Sequence, residues 1–302
     1  MATRRWVFLT GTIAGAALLV LTAASAVFCE GTLRVQKTAS GSGVPPKDRY
    51  PDALWRTVHI RAKDGVALDG WFIRPNKSTS SRCVVVLHGI ADSKSGAAGF
   101  APMFLAEGYS VLLPDSRAHG NSGGEFVTYG LFEKSDVLEW TRWLRKEGCS
   151  EICGLGESLG ASVLIQASAE EPVFRAIVAE CPYADLKAIA VYRVQKVIRG
   201  PQWISSAAAG LIVHSGMLYA KLRYGLDFSQ VAPTMAIARS KTPILLIHGV
   251  QDGRTPCWHS QRLAQANPRA ILWLVPNADH VGASSADPDG FRSRVLDWFA
   301  RS

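Results

Sequence analysis

The stretch Gly156-Glu157-Ser158-Leu159-Gly160 sets a serine hydroxyl between two glycines. It follows the apolar run ICGLG and precedes a helical pattern that opens at Leu159. A sharp strand-to-helix turn needs small residues on both sides, and it projects the serine at the head of a helix, where partial positive charge favours a developing oxyanion. A serine hydroxyl is a poor nucleophile at neutral pH and needs a base within hydrogen-bond reach, itself oriented by an acid. Asp252, in the loop Gly249-Val250-Gln251-Asp252-Gly253, is the candidate acid. His280, in Asn277-Ala278-Asp279-His280-Val281-Gly282, is the candidate base. Asp279 is the other acid in reach, but it adjoins the base and would have to fold back on it. The chemistry such a set performs is acyl transfer through a covalent acyl-enzyme.

An oxyanion needs two backbone N–H donors. One follows the nucleophile, at Leu159. The second is expected at Ile90, in the loop His88-Gly89-Ile90-Ala91-Asp92-Ser93 that follows the run CVVVLHG. His88 and His119 read as loop-shaping residues, and His248 as a residue packed at a strand end. His59 lies in an early hairpin and His214 in a helical insert.

These residues need a frame. LWRTVHI and VALDGWFI flank Lys63-Asp64-Gly65 and read as a hairpin. CVVVLHG is a continuous β-branched run, as expected of a strand buried on both faces. Helices are expected near 99–107, over 132–146 and from 159 to about 169, with strands at YSVLLPD, ICGLG and AIVAE between and after them. Residues 184–240 look mostly helical and interrupt the alternation. It resumes with PILLIHG, a helix near 258–266, ILWLVP and a helix near 291–300. Alternating β and α units imply a doubly wound, mostly parallel sheet. The insert at about 184–240 is expected as a cap over the carboxyl ends of the strands, where ligands bind.

The chain has 302 residues, enough for one α/β domain of roughly 250 residues and something more. Hydrophobic residues make up 48% and charged residues 19%, which excludes a disordered chain. The formal charge is +8, but the basic residues are scattered rather than clustered, so nucleic acid is set aside as a partner. From Trp6 to Cys29 no residue is charged, and Arg4 and Arg5 stand just before. A helix of about 20 apolar residues spans the bilayer core. The positive-inside rule then leaves the N-terminus cytoplasmic and the body extracytoplasmic. A retained transmembrane anchor in residues 1–30 is the first reading. A signal cleaved after Ala24-Ser25-Ala26, giving a secreted or periplasmic protein, is the second. Residues 31–51 are a Gly-, Ser-, Pro- and Lys-rich linker and 52–302 the catalytic body. Of six cysteines, Cys83 and Cys181 fall in apolar strand runs and read as small core residues. Export would permit a Cys149–Cys153 disulfide.

Taken together, His88-Gly89, Asp115-Ser116-Arg117-Ala118-His119-Gly120-Asn121-Ser122, Gly156 to Gly160, His248-Gly249 through Asp252, and Asp279-His280-Val281-Gly282 resemble the α/β-hydrolase superfamily. The likeness is strongest to its serine aminopeptidase-like and monoglyceride lipase-like branch, and it covers roughly residues 54–300. Family members usually carry Gly where Ala118 stands. The resemblance implies ester, amide or thioester hydrolysis with neither a metal nor an organic cofactor. Within it, the apolar residues of the insert (Trp203, Ile204, Leu211, Ile212, Val213, Met217 and Leu218) suit an apolar acyl chain or simply pack the cap. An esterase or lipase acting on lipid-like acyl substrates near the membrane is the first reading. A peptidase, with Asp227 as acidic partner for a free α-amine, or a thioesterase is the alternative. A non-catalytic binding scaffold is the rival of another class.

Overall fold

The computed structural model describes residues 20–38, 53–76 and 80–302. Within them the chain divides into two compact units. The larger holds the described residues of Val35–Leu186 and Ser229–Ser302, and the smaller holds residues 20–34 and Lys187–Phe228.

The larger unit is built on one eight-stranded sheet. In chain order its strands are β1 (Ala53–Arg61), β2 (Ala67–Pro75), β3 (Arg82–Leu87), β4 (Ser110–Pro114), β5 (Glu151–Glu157), β6 (Ile177–Glu180), β7 (Ile244–Gly249) and β8 (Ile271–Val275). They lie in the order β1-β2-β4-β3-β5-β6-β7-β8. β1 and β2 form the expected hairpin, and β2 also runs antiparallel to β4. From β4 across to β8 every pair is parallel. Val84, Val85 and Val86 are fully buried, because β3 is covered on both faces. β3 is also where the order reverses, with β4 on one side and β5 on the other. The crevice beyond its carboxyl end is therefore the expected ligand site of an open α/β sheet.

The chain's helices are numbered from the one through residues 20–33 (α1). One face of the sheet is covered by α2 (Lys94–Ala97), a 3-10 turn (Ala98–Phe100), α3 (Ala101–Ala106) and, further along the chain, α11 (Pro288–Arg301). There Phe104, Phe291, Val295 and Phe299 pack with Trp71, Val84, Val86, Leu155 and Val178 in one buried cluster. The other face carries α4 (Glu133–Lys146) and α5 (Leu159–Glu170). α6 (Leu186–Val197) and α7 (Gln202–Tyr224) begin the expected insert, which does not stay together. After Phe228 the chain returns to the larger unit, where α8 (Pro233–Arg239) packs on α5 and on α9 (Trp258–Ala266). The short α10 (Ala283–Ala286) precedes α11.

In the smaller unit α1 packs against α7. Gly216 permits the approach, since a Cβ there would lie 3.3 Å from both the Ser25 carbonyl oxygen and the Phe28 ring. Tyr219 donates its hydroxyl to Glu30 at 3.0 Å. α7 closes on Gly225 with φ 70°, the left-handed cap that glycine adopts without a Cβ penalty. Most of the apolar span expected as an anchor, Trp6–Cys29, lies outside the described residues. Among the described residues no helix is long and apolar enough to cross a membrane.

One covalent feature corrects the sequence reading. Cys83, not Cys153, is the partner of Cys149: the two form a disulfide with Cα atoms 5.8 Å apart. Cys83 sits at the start of β3, opposite Ile152 of β5, so the residues leading into β5 arrive beside it. Cys153 points into the core, where burial pushes its thiol up to about 12.

Candidate active site

Ser158 joins β5 to α5 with φ 50° and ψ −105°, a backbone conformation that L-residues seldom adopt. The flanking glycines make the turn feasible. A Cβ on Gly156 would meet the Ala161 nitrogen at 2.6 Å, and one on Gly160 would meet the Leu87 carbonyl oxygen of β3 at 2.5 Å. Both obstacles are backbone and cannot swing aside. Ser158 is only 8% exposed, and its amide donates to the Glu180 carbonyl at 2.8 Å, pinning the turn to β6.

The loops after β7 and β8 bring Asp252 and His280 to it. His280 Nδ1 lies 2.7 Å from Asp252 Oδ2, and His280 Nε2 lies 3.0 Å from Ser158 Oγ. A carboxylate only accepts, so Nδ1 carries the imidazole proton and Nε2 turns its lone pair toward the serine hydroxyl. Asp252 is held by its own loop as well, with Oδ1 accepting the amides of Arg254 and Thr255 at 2.8 Å each. Burial alone would raise the Asp252 carboxyl. The hydrogen bonds from His248, His280 and the Thr255 amide outweigh it and hold the group well below the usual carboxylate range. Asp279, the other acid in reach by sequence, is exposed, and its side chain lies against Gly282.

The loop after β3 faces the serine. A Cβ on Gly89 would lie 3.6 Å from Ser158 Cβ. Two buried histidines hold this loop. His88 Nε2 accepts the Ser116 amide at 3.0 Å, and its Nδ1 donates to the Gly89 carbonyl at 2.7 Å. His119 Nε2 accepts the Ala91 amide at 3.1 Å, and its Nδ1 donates to the Arg117 carbonyl at 2.9 Å. Both rings are therefore neutral, and burial pushes His88 down to about 4. These partners match the loop-shaping roles read from the sequence. Leu159 opens α5, so its amide has no acceptor within the helix. Ile90 and Leu159 are thus amides on the two chain segments that border Ser158 Oγ.

Three polar groups around this frame escaped the sequence reading, and a fourth does more than was read from it. Lys94 is fully buried, with Nζ 2.5 Å from both Asp69 Oδ1 and Asp115 Oδ2. Its partners lie more than twenty residues away in the chain, so no local pattern announced it. Glu180, at the end of β6, accepts the Ala283 amide at 3.0 Å, and burial pushes it up to about 7. Glu157 stands beside it across the strand pair. Burial, then the charges of Glu180 and Asp92, push it up to about 8. His248 lies against Asp252 rather than merely packing at the strand end. Cys181, His248 and Asp252 are the described residues whose ligand atoms cluster closely enough for a cation. Both nitrogens of His248 and both carboxylate oxygens of Asp252 are already engaged by protein groups, so this set does not fit a metal.

The arrangement can deprotonate a serine hydroxyl as it attacks a carbonyl and can offer amides to the resulting oxyanion. Comparison with known proteins agrees in kind. The sequence model of the Alpha/beta hydrolase family matches residues 84–294. The uncharacterized protein YqkD of Bacillus subtilis is 27% identical over 240 residues, which are 78% of this chain and 75% of that protein. The uncharacterized protein YfhR of Escherichia coli K12 is 25% identical over 264 residues, 84% of each. Among solved structures, the Pyrococcus furiosus esterase Pf2001 in space group P212121 superposes with a TM-score of 0.72 at 26% identity, covering 90% of this chain and 99% of that one. Est1E from Butyrivibrio proteoclasticus, bound to ferulic acid, has the same fold, with a TM-score of 0.60 at 16% identity over 81% of this chain and 100% of that one.

Proposed function

The chain belongs to the alpha/beta hydrolase family, and from that premise we propose that it is a serine hydrolase cleaving carboxylic esters through Ser158, His280 and Asp252. The observation that carries the reading is the chain of contacts Ser158 Oγ to His280 Nε2 at 3.0 Å and His280 Nδ1 to Asp252 Oδ2 at 2.7 Å. Ser158 Oγ attacks the ester carbonyl while His280 Nε2 takes its proton. The Ile90 and Leu159 amides receive the oxyanion, and Asp252 stabilises the imidazolium. The proton passes to the leaving alkoxide, and the acyl group stays on Ser158. His280 then takes a proton from water, whose hydroxide attacks the acyl-enzyme; the proton returns to Ser158 as the carboxylic acid departs. None of these steps calls for a cofactor.

The likeness to the esterase Pf2001 supports ester over amide substrates. Asp227, the acid that a peptidase would turn to a free α-amine, has Oδ2 paired with Lys221 Nζ at 2.8 Å, which favours the esterase reading. Labelling with a fluorophosphonate, combined with turnover of p-nitrophenyl esters of increasing chain length, tests the proposal. Labelling at Ser158 and ester turnover that disappears in Ser158→Ala are expected. A Ser158→Ala protein that hydrolyses these esters at the wild-type rate overturns it, and faster turnover of aminoacyl-nitroanilides would favour the peptidase.

We further propose that the body works outside the cytoplasm, close to a membrane. The Cys83–Cys149 disulfide supports an oxidising compartment. On α7, the exposed Trp203, Leu211, Leu218 and Leu222 lie on one helical face and suit contact with lipid. Sequencing the mature N-terminus separates a retained Trp6–Cys29 anchor from cleavage after Ala26. Resistance of the body to protease added outside intact cells would overturn the location.

A further inference from the structure

Asp252 Oδ2 has two imidazoles beside it. His280 Nδ1 lies 2.7 Å away and His248 Nε2 lies 3.2 Å away. The protonation of His248 follows from its partners. Its Nε2 is also 2.7 Å from the Thr255 carbonyl oxygen, which can only accept, so Nε2 carries a hydrogen. Its Nδ1 is 2.6 Å from Ser260 Oγ, which donates its hydroxyl hydrogen to the ring. His248, Ser260 and the Asp252 side chain are all shut off from solvent. The Nε2–H is bonded to the Thr255 carbonyl, and the same nitrogen stands 3.2 Å from the Asp252 carboxylate at the other end of one tight loop. The other titratable groups around it are Glu180 and Cys181 from β6 and His280 from the loop after β8.

We propose that His248 is a positioning residue of the hydrolytic reaction, sharing Asp252 Oδ2 with His280 and so fixing both where that oxygen sits and how strongly it holds the catalytic imidazolium. This role rests on Ser158, His280 and Asp252 acting as the triad. The Arg254 and Thr255 amides hold Oδ1, so a lone donor at Oδ2 would have the whole charge of that oxygen and be bound more tightly. With two donors Oδ2 is held as well, and its charge is divided. His248 and His280 both help to hold the Asp252 carboxyl low.

The direction of the effect follows. Removing the His248 donor leaves Asp252 more basic and the His280 cation better stabilised. The base then stays protonated to higher pH, and the acid limb of the kcat/KM profile moves up. In His248→Leu, kcat should fall about 10- to 100-fold, the range expected for losing a hydrogen bond to a charged group. KM should stay within about twofold, and the limb should shift upward by about half a pH unit or more. His248→Gln, whose amide nitrogen reaches the place of Nε2, should restore most of kcat and the original limb. Ser260→Ala keeps the ring and its Nε2–H, which the Thr255 carbonyl still selects, but removes the hydroxyl that anchors Nδ1 and aims the ring, so it should show the same shift in milder form, a few-fold in kcat. It serves as the test should His248→Leu not fold.

Wild-type kcat with an unmoved limb in the folded His248→Leu and Ser260→Ala proteins overturns the role. So does a loss of kcat that leaves the limb in place and is not restored by Gln, which is the signature of a loop support alone. Wild-type protein that a fluorophosphonate fails to label overturns the triad itself, and that result is read without any His248 variant.

Discussion

The Ala91 amide donates to Nε2 of His119 at 3.1 Å. Through this bond, and the one from Ser116 to His88, the loop carrying Ile90 is tied to the loop that follows β4. Each acceptor nitrogen must be unprotonated to hold its amide, so the geometry beside Ser158 depends on two imidazoles staying neutral. Both are buried, and burial is the first cause of their lowered pKa values.

His88 makes the fold sensitive to acid. The unfolded chain takes up a proton on this residue near pH 6.5. The folded chain refuses it until about pH 4. Between those values the unfolded state binds more protons, so stability falls as pH falls, by an amount on the order of 3 kcal/mol. Urea unfolding of wild type and His88→Gln across pH 4 to 7 should show the difference between them growing along this slope. Parallel curves would count against it.

Glu180 does the reverse. Its folded pKa is raised to about 7, so the fold keeps a proton that the unfolded chain has already released. Stability is therefore full at low pH and is lost as pH rises from about 4.5 towards 7. Glu180→Gln, which keeps an acceptor for the Ala283 amide, should match wild type near pH 4.5 and exceed it by about 2–3 kcal/mol at pH 8. With His88 and Glu180 opposing each other, the wild-type protein should vary less with pH between 4.5 and 6.5 than either variant.

Ala118 sits at φ 58°, where a Cβ is costly and glycine is not. Ala118→Gly should raise the stability by about 0.5–1 kcal/mol, the relief of strain outweighing the added freedom of the unfolded chain. An increase in Tm with ester turnover unchanged is the expected result.

The Cys83–Cys149 bond closes a long loop, the two cysteines lying 66 positions apart in the chain. Its loss, in Cys149→Ser or under a reductant that reaches it, should cost about 2–4 kcal/mol in denaturant unfolding. Cys153→Ser, which leaves the Cys83–Cys149 bond in place, should stay as sensitive to reductant as wild type.

Much of this was legible in the chain itself. Strands buried on both faces betray themselves by runs such as Cys83–Leu87. Ser158, Asp252 and His280 stood out because a strand-end loop is where a reactive side chain can be presented. What escaped notice depends on which strands become neighbours. Cys149 meets Cys83 because β5 lies beside β3, which the spacing of Cys149 and Cys153 cannot reveal. Lys94 carries no local mark of burial in the sequence; the ends of β2 and β4 bring Asp69 and Asp115 around it. Residues 184–240 read as mostly helical, but a helical pattern is indifferent to where a helix packs. The return of α8 to the larger unit was therefore invisible to it.

β6 supplies none of the three residues proposed to react, yet it is the strand by which the other elements are spaced. It stands between β5 and β7, so two inter-strand steps of about 4.8 Å separate the strand that ends at Ser158 from the one that leads to Asp252. That interval is a built-in gauge. The loops from β7 and β8 need only the length to close it, and the carboxyl end of β6, with Glu180 and Cys181, becomes the floor on which the serine, imidazole and carboxylate rest. A strand missing from the reaction scheme thus sets the scale at which the scheme is drawn.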